Sequence, residues 1–539
     1  MDVRTESAQV LVIGAGLAGL NAAYEAALSG STVTVAYKSG NRASPEIMGF
    51  STPVSEGDSP ELFLEELMES GEGLNRRELA RELADRAEEQ IGRMESIGLV
   101  FDKNADGHYN GMRALGNSFP RIVHYKALTG ARSIKLLAER CRALGVRFLP
   151  DTRILELLRE GDSVCGAVGV GPGGEPLVLA ASAVVLASGG LSNMYPISTY
   201  PEGLLGDGYA IAARAGAEMV DMEFLQYEPC CFVYPEILHG HLLVTTMLSE
   251  GAKLLNARGE EFMLKSGRGY KVQKGELSRA ILREIREGRG GEHGGVFFDA
   301  TALPKQRIVV DNSIFYEAPK RAGIDITVQP GEVAPAPHTF LGGVRIDRNC
   351  YVMPGLFAAG EVCGGVHGAN RLGGCAGAEV FVFGTIAGQR AQEYAARNPA
   401  DTEAAVRLAQ PVLAAYETKR RGRGSAARDH ELFEQIRTTI RDGLGAFRDE
   451  AGLRACQRGL DSLRPALDEM DGASVMLRIS CENMIEAAQM QLVSSLARTE
   501  SRGVFYRSDF PERDDRNWKK NILLRREGET LAMRIEDAD

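Results

Sequence analysis

The run GAGLAG, Gly14 to Gly19, directly after a continuous apolar stretch, constrains the fold of this chain more than any other feature. Val10 to Ile13 has the composition of a buried strand, and the residues after the glycines have helical spacing. The first glycine permits a tight turn, the second lets a pyrophosphate approach the backbone, and the third lets the helix pack on the strand. A second strand, Ser31 to Lys38, follows at the spacing of a βαβ unit. The segment is therefore predicted to bind a dinucleotide at the N-terminus of its helix.

Length and charge limit the classes of function. A chain of 539 residues exceeds a single hydrophobic core and is expected to form roughly two to four domains. The net charge of -11 and the pI near 5.5 argue against a phosphate backbone as partner, so no nucleic acid is expected. The N-terminus has no signal-peptide apolar core, and no long uncharged apolar run could span a bilayer. We therefore expect a cytoplasmic protein without direct membrane insertion.

The nine cysteines never fall in a CxxC pair or in an iron-sulfur spacing. We expect reduced thiols, no iron-sulfur cluster within this chain and no metal site.

One arginine lies in the glycine-flanked run HGANRLGG, His367 to Gly374. Glycines let the backbone approach a flat ligand, and a guanidinium is a planar fork that matches a carboxylate in two hydrogen bonds. The runs PHTFLGG (Pro337 to Gly343) and GLFAAGE (Gly355 to Glu361) lie just upstream. Arg371 is therefore the best candidate for binding a carboxylate.

Together these motifs resemble the flavoprotein subunits of fumarate reductase and succinate dehydrogenase, and L-aspartate oxidase. SAVVLASGG, Ser182 to Gly190, is similar to the ATGG segment that closes over the flavin in that family, and a GDG run follows it. The closing segment, Arg498 to Asn521, resembles the ESRG and DxPxRDDxxW tail of the succinate dehydrogenase branch. The resemblance covers nearly the whole chain.

The resemblance implies an α/β fold. It predicts a two-dinucleotide-fold, Rossmann-like FAD domain with an inserted α+β capping domain and a C-terminal helical domain. The expected boundaries are 1–223 for the first part of the FAD domain, 224–341 for the capping domain, 342–396 for the second part of the FAD domain, 397–500 for the helical domain and 501–539 for a tail segment.

The cofactor that the resemblance implies is FAD. Lys38 stands where an acidic ribose ligand is often sought, and the resembled family commonly has a lysine there. With MGF (Met48 to Phe50) placed on the family's QGG, Ala43 takes the position of the histidine that bonds covalently to the flavin in membrane-bound relatives. Alanine cannot form that bond, so we expect non-covalent FAD, whose lower reduction potential favours reduction of a substrate. The residues expected to contact FAD are Gly14, Ala15, Gly16, Ala18, Gly19, Lys38, Ser44, Ala187, Ser188, Gly189, Asp207, Glu361, Arg371 and Ala376.

This sequence retains only one of the two carboxylate-binding parts of the substrate site in the resembled enzymes. The histidine of HYxMGG and the arginine of HGANRLG, which hold one carboxylate, correspond to His338 and Arg371. The histidine of QFHPT, which grips a second carboxylate, corresponds to Glu228. A glutamate would repel a second carboxylate, so the retained half-site favours a substrate with a single carboxylate or a similar anion.

The proton-donating side differs as well. The TExxRG segment that relays protons appears as VTTMLS, with Val244, Thr245 and Leu248 at the threonine, glutamate and arginine positions. RDVVSRA appears as KGELSRA, which puts Lys274 in the place of the proton-donating arginine and keeps Arg279. A lysine can act as a general acid when its surroundings lower its pKa.

The predicted function is that of an FAD-dependent oxidoreductase that moves a hydride between flavin N5 and a carbon-carbon double bond of a carboxylate, with Lys274, His338, Arg371 and Glu228 in the site. Structural roles stay open for each: an exposed lysine, a core histidine bonded to the backbone, an internal salt bridge of the arginine, and a glutamate paired with a neighbouring Arg or Lys. Two other functions also stay open. One is oxidation of an amino acid, as in L-aspartate oxidase, and the other is electron transfer to an iron-sulfur partner subunit.

Overall fold

A computed structural model describes residues 3–40, 43–114, 116–126, 128–270 and 272–538. The strands are β1 (Arg4–Ile13), β2 (Val33–Ala36), β3 (Gly49–Ser51), β4 (Ile122–His124), β5 (Arg147–Leu149), β6 (Arg153–Glu160), β7 (Ser163–Val170), β8 (Pro176–Leu186), β9 (Met219–Val220), β10 (Leu225–Phe232), β11 (Lys253–Leu255), β12 (Val296–Asp299), β13 (Gly331–Phe340), β14 (Gly343–Arg345), β15 (Tyr351–Met353), β16 (Leu356–Ala358), β17 (Cys363–Gly364), β18 (Lys520–Glu527) and β19 (Thr530–Asp537). The α-helices are α1 (Leu17–Leu28), α2 (Pro60–Ser70), α3 (Arg77–Arg86), α4 (Glu89–Ser96), α5 (Thr129–Ala143), α6 (Asp207–Arg214), α7 (Thr246–Ser249), α8 (Lys274–Glu284), α9 (Ser313–Arg321), α10 (Cys375–Ala395), α11 (Thr402–Lys419), α12 (Ala426–Gly443), α13 (Glu450–Asp468), α14 (Val475–Ala497) and α15 (Asp515–Trp518).

The largest sheet carries the predicted βαβ unit. Its strands lie in the order β15-β16-β8-β1-β2-β5, with β7 next to β8 and β6 next to β7. Strand β1 is parallel to β2 and β8, β16 is parallel to β8, and β5 is parallel to β2, so five strands end at the same edge. Every residue of β8 is buried, as expected of a central strand covered on both faces. Ligands of open α/β sheets bind at this edge, outside the carboxyl ends of the strands.

The capping domain is built on a separate antiparallel sheet, in the order β10-β13-β12-β11. Helix α8 packs on β10 and β13. The sheet and its helices share a core that includes Phe232, Phe298 and Ile281, all fully buried. This core is distinct from the one beneath the main sheet, which agrees with an inserted α+β unit.

Helices α11 to α14 form the predicted C-terminal helical region, in which α12, α13 and α14 pack on one another. No helix among the described residues combines the length and the apolar character needed to cross a membrane.

The last residues of the chain were expected only as a tail segment, but they form two strands of a further sheet. The order in this sheet is β17-β14-β9-β18-β19, so the C-terminal hairpin joins strands from the FAD domain. A buried ion-pair cluster fixes the start of the tail, because Arg498 contacts Glu223 at 2.7 Å and Glu500 at 3.0 Å, and all three side chains are fully buried.

Candidate active site

The glycine turn after β1 approaches the neighbouring strand β8 closely. Gly14 has a φ of +115°, and a Cβ there would lie 2.1 Å from the carbonyl oxygen of Ala187. A Cβ on Gly19 would lie 2.0 Å from the carbonyl oxygen of Gly14, so helix α1 packs tightly on its own turn. The N-cap of α1 is Gly16, without a side-chain cap, and the Leu17 amide donates to Ser44 Oγ at 3.0 Å.

Several polar groups around this turn fit a bound FAD. The Ser188 hydroxyl is buried and has no hydrogen-bond partner within the described ranges. A Cβ on Gly208 would lie 1.9 Å from that hydroxyl oxygen, so only glycine leaves it room. Helix α10 begins after Gly374, which has a φ of +82° and no side-chain cap, and Ala376 lies in its first turn. The open amides of α1 and α10, together with this hydroxyl, are donors for phosphate and carbonyl oxygens.

Lys38 and Asp207, both expected to contact FAD, form an ion pair with each other. The Lys38 ammonium also donates to the Gly203 carbonyl at 3.3 Å, and the Asn483 amide donates to Asp207 at 2.7 Å. Burial alone would raise the pKa of Asp207, but Lys38 and Asn483 outweigh it and leave that pKa below its usual value. The carboxylate is therefore ionised and held in place from two sides.

Glu361, the glutamate of GLFAAGE, lies between the cofactor edge and β13. It accepts a hydrogen bond from the Phe340 amide at 2.9 Å and another from the Tyr200 hydroxyl. The Tyr209 hydroxyl donates to the Glu361 carbonyl oxygen at 2.6 Å. Burial raises the pKa of Glu361 to about 7.

His338 lies at an irregularity of the capping sheet. Gln226 pairs with Thr339 and Tyr227 pairs with Pro337, so His338 is the extra residue of a bulge in β13. A bulge re-aims the side chain that it carries, and bulges are frequent beside active sites. Burial, and then the positive charges of Arg371 and Lys274, hold the pKa of His338 well below its usual value, so the imidazole is neutral.

Arg371 is 7% exposed, and its Nε is buried without a hydrogen-bond partner among the described residues. With that nitrogen unpartnered among the described residues, the guanidinium is left for a ligand. The Gln226 amide fixes the backbone beneath it by donating to the Arg371 carbonyl at 3.1 Å and to Asn370 Oδ1 at 3.0 Å. Because the Arg371 charge lowers the pKa of His338, the two groups lie within electrostatic reach of each other.

Glu228 and Lys274 form an ion pair with 2.5 Å between Lys274 Nζ and Glu228 Oε2. The glutamate side chain is 7% exposed and the lysine side chain 23% exposed. Lys274 is the first residue of α8, and the preceding Gln273 accepts from the Asn370 amide at 3.5 Å. Glu228 is thus paired with a lysine, one of the roles that the sequence left open for it. Its partner Lys274 is the other residue at which this site differs from the resembled enzymes.

The positions of the family's proton relay are incorporated into the capping domain. Leu248 and Thr245 are each 4% exposed, and Leu248 belongs to the apolar core of that domain. Arg279, the arginine kept in KGELSRA, contacts the C-terminal tail instead of the candidate site residues. Its guanidinium donates to the Gly503 carbonyl at 3.1 Å and lies 5.3 Å from the centre of the Tyr506 ring, so it ties α8 to the tail.

Three residues of the site were not anticipated. Thr199, Tyr200 and Asn483 contact His338, Glu361 and Asp207, respectively. Thr199 and Tyr200 lie in the segment just before GDG. Their closeness to this motif was the feature of the sequence that could have pointed to the site. Asn483 lies within α14, where nothing in the sequence distinguished it.

Comparison with known proteins agrees with the fold and with FAD as the cofactor. The family described as FAD binding domain matches residues 9–376, and the family described as fumarate reductase flavoprotein C-term matches residues 433–539. The CoM/CoB fumarate reductase of Methanothermobacter marburgensis has a subunit that is 34% identical, covering 98% of this chain and 99% of its own length. The L-aspartate oxidase of Streptomyces coelicolor is 31% identical, covering 98% of this chain and 94% of its own length. The FrdA protein of Escherichia coli quinol fumarate reductase superposes with a TM-score of 0.93 at 25% identity, covering 99% of this chain and 97% of that chain.

The fold and the cofactor edge therefore define an FAD-binding oxidoreductase. Within that class, the chain belongs to the fumarate reductase and succinate dehydrogenase flavoprotein family, which includes L-aspartate oxidase.

Proposed function

We propose that this protein reduces the carbon-carbon double bond of an unsaturated carboxylate other than fumarate, with non-covalent FAD as cofactor. The observation that carries the proposal is the Glu228–Lys274 ion pair beside His338 and Arg371. One end of the site keeps an arginine without a protein partner among the described residues. The other end holds an acid and a base that neutralise each other and leave no net positive charge for a second carboxylate.

Arg371 and His338 would bind the substrate carboxylate. The guanidinium offers two parallel donors, and the neutral imidazole offers one more. Negative charge grows on this carboxylate as the adjacent double bond accepts a hydride, and buried donors stabilise such charge more strongly than water does. When bound, FAD supplies the hydride-transfer chemistry.

Lys274 would supply the proton. Its side-chain nitrogen lies 2.5 Å from Glu228 Oε2, which would hold the donor group in place. FAD, when bound, would supply a hydride to one carbon of the double bond, and Lys274 Nζ would pass its proton to the other carbon. Because the lysine side chain is 23% exposed, the neutral amine can then regain a proton from water.

A second function has a specific observation in its favour. The C-terminal match is to a region of fumarate reductase flavoproteins, and the methanogen relative is named as one subunit of a larger enzyme. The chain could thus pass electrons to or from an iron-sulfur partner subunit. Copurification of a brown, cysteine-rich protein would support this assignment.

The experiment that separates these functions is reoxidation of the flavin. The holoenzyme is reduced without oxygen and mixed with a panel of unsaturated monocarboxylates and dicarboxylates while absorbance is followed. We expect rapid reoxidation by at least one monocarboxylate. Failure of the entire panel, together with copurification of an iron-sulfur protein, would contradict the reductase proposal.

Lys274→Met tests the proton donor within the same assay. The expected result is loss of substrate turnover, by about two orders of magnitude, while reduction of the flavin stays intact. Lys265→Met is the matched control, because Lys265 lies on the capping domain with a side chain that is 61% exposed. Turnover that survives in the Lys274→Met variant would remove Lys274 from the mechanism.

A further inference from the structure

The segment between β8 and α6 places two side chains against His338. Thr199 Oγ1 lies 2.8 Å from His338 Nδ1. The Tyr200 ring meets the imidazole edge-on, with 5.9 Å between the ring centres and an interplanar angle of 75°. The imidazole is therefore held at one nitrogen and along one edge by residues outside the capping sheet.

The backbone of this segment is itself anchored to β13. The Thr199 amide donates to the Pro337 carbonyl at 3.1 Å, and the Ser198 hydroxyl lies 3.4 Å from the same oxygen. A carbonyl oxygen has two lone pairs, and these two donors can fill both. The Thr199 hydroxyl also lies 3.3 Å from that oxygen, but its contact with His338 Nδ1 is shorter. The Thr199 hydroxyl is therefore assigned as the donor to His338 Nδ1.

The two tautomers of His338 differ in what they offer a ligand. If Thr199 donates to Nδ1, the ring proton must sit on Nε2, which has no hydrogen-bond partner among the described residues. Nε2 then presents an N–H donor to a carboxylate. The opposite tautomer would present a lone pair, which repels an anion.

We infer that Thr199 is a positioning residue that fixes His338 as the Nε2–H tautomer, so that a neutral imidazole donates to the substrate carboxylate. This inference rests on the proposed function in one respect, namely that His338 binds a carboxylate. The low pKa of His338, which burial and the nearby cations produce, makes the tautomer decisive because the ring has a single proton to place.

The same segment connects the substrate side to the cofactor side. The Tyr200 hydroxyl donates to Glu361, the glutamate expected to contact FAD. Thr199 and Tyr200 are adjacent, so one short segment contacts both His338 and Glu361. The tautomer of His338 is therefore set by a segment that also contacts the cofactor edge.

The deciding test is nitrogen NMR of holoenzyme labelled with ¹⁵N-histidine. The chain has 8 histidines, and loss of one signal set in a His338→Asn variant assigns His338. We expect the wild-type spectrum to show protonated Nε2 and unprotonated Nδ1 for this residue. A protonated Nδ1 in the wild type would overturn the inference whatever the behaviour of any Thr199 variant.

Binding measurements give the second test. Monomethyl fumarate is titrated into oxidised holoenzyme, and the shift of the flavin absorbance reports its dissociation constant. Thr199→Val removes the hydroxyl at nearly constant volume and should weaken binding about tenfold, whereas Thr199→Ser keeps the hydroxyl and should stay within about twofold of the wild type. Equal weakening in both variants, or none in the valine variant, would contradict the inference.

The His338→Asn variant separates failure of the inference from failure of the proposed function. If this variant binds monomethyl fumarate as tightly as the wild type, His338 is no carboxylate ligand and the proposed function fails. If it binds weakly while Thr199→Val binds normally, the proposed function stands and only the role of Thr199 is refuted.

Discussion

At the residue scale, the pairing of Glu228 with Lys274 distinguishes this site. The negative charge of Glu228 offsets the positive charge of Lys274, so the pair does not attract a second carboxylate. A neutral group at the same end of the substrate is not disfavoured. Two unit charges about 4 Å apart interact by about 4 kcal/mol at an effective dielectric constant near 20. The charge of a single residue therefore contributes enough interaction energy to change which substrates bind.

Glu228→Gln should shift selectivity toward dicarboxylates. Removing the negative charge leaves the Lys274 ammonium free to attract a second carboxylate. We expect the ratio of the dissociation constant of monomethyl fumarate to that of fumarate to rise at least about tenfold, measured by flavin absorbance. Glu276→Gln makes the same charge change on α8 and should leave the ratio unchanged. An unchanged ratio in Glu228→Gln would place Glu228 outside the substrate site.

Glu361 should make stability depend on pH. Its pKa is raised by burial to about 7 in the folded protein, from the ordinary 4.5. The folded state therefore binds more protons than the unfolded state between these values, so this group's contribution to stability falls as pH rises from about 4.5 to about 7 and is constant above. In the FAD-free protein, Glu361→Gln should be more stabilising, or less destabilising, at pH 8 than at pH 5, by up to about 3 kcal/mol. Denaturant unfolding at the two pH values measures this difference, and an equal effect at both would show that the pKa is not raised.

The motifs predicted the four candidate residues because each lies in a short run with a fixed neighbourhood. The sequence left open that Glu228 pairs with a neighbouring Arg or Lys, but it did not identify Lys274 as the partner, since the two residues lie on different elements that meet only in the folded capping domain. Nor did the motifs predict Thr199, because its role depends on one hydroxyl reaching an imidazole 139 residues away.

At the element scale, the turn between β1 and α1 determines whether the cofactor can bind. Gly14→Ala would put a methyl group 2.1 Å from the Ala187 carbonyl oxygen at a φ of +115°. We expect this variant to lose FAD during purification. Gly30→Ala is the matched control, because Gly30 also has a positive φ, of +89°, but none of the described atoms lies within 4 Å of its Cβ position.

Gly30→Ala should lower the free energy of unfolding by about 1–2 kcal/mol and keep FAD, because only backbone strain is added. The flavin-to-protein absorbance ratio of the two purified variants is the measurement. Full flavin content in Gly14→Ala would show that the close approach of this turn to Ala187 is not needed to bind FAD.

Elements with a strong local pattern were predictable. Strand β1, helix α1 and strand β2 lie where the apolar runs and the glycine turn placed them. The hairpin of β18 and β19 was missed, although Gly528 lies between an apolar run and a run with apolar residues at alternate positions, which is a hairpin signal. Its pairing with β9 could not be read locally, because the two strands lie far apart along the chain.

At the scale of the whole molecule, helix α8 connects the substrate site to the tail. Lys274 is its first residue, and one turn later Arg279 contacts Gly503 and Tyr506. Gly503 in turn has a φ of +54°, and a Cβ there would lie 2.2 Å from the carbonyl oxygen of Ala369, within the HGANRLGG run that contains Arg371. The tail therefore holds both the helix that carries Lys274 and the loop that carries Arg371.

Arg279→Met should impair catalysis without affecting the cofactor. Loss of a hydrogen bond and a cation-π contact frees the start of α8, so we expect kcat/KM to fall about tenfold while FAD content stays the same. Arg283→Met, on the same helix at an exposed position, should behave like the wild type. Wild-type kcat/KM in Arg279→Met would show that the contact with the tail does not position Lys274.

The measurement closest to the central claim compares fumarate with its monomethyl ester as oxidants of the reduced flavin, by stopped-flow absorbance without oxygen. The two compounds share one carbon skeleton and one carboxylate, and they differ in whether the far end is charged. The site has Arg371 and His338 at one end and the Glu228–Lys274 pair at the other. We therefore expect the ester to reoxidise the flavin at least about tenfold faster, per unit concentration, than fumarate does. Equal or faster reoxidation by fumarate would contradict the account.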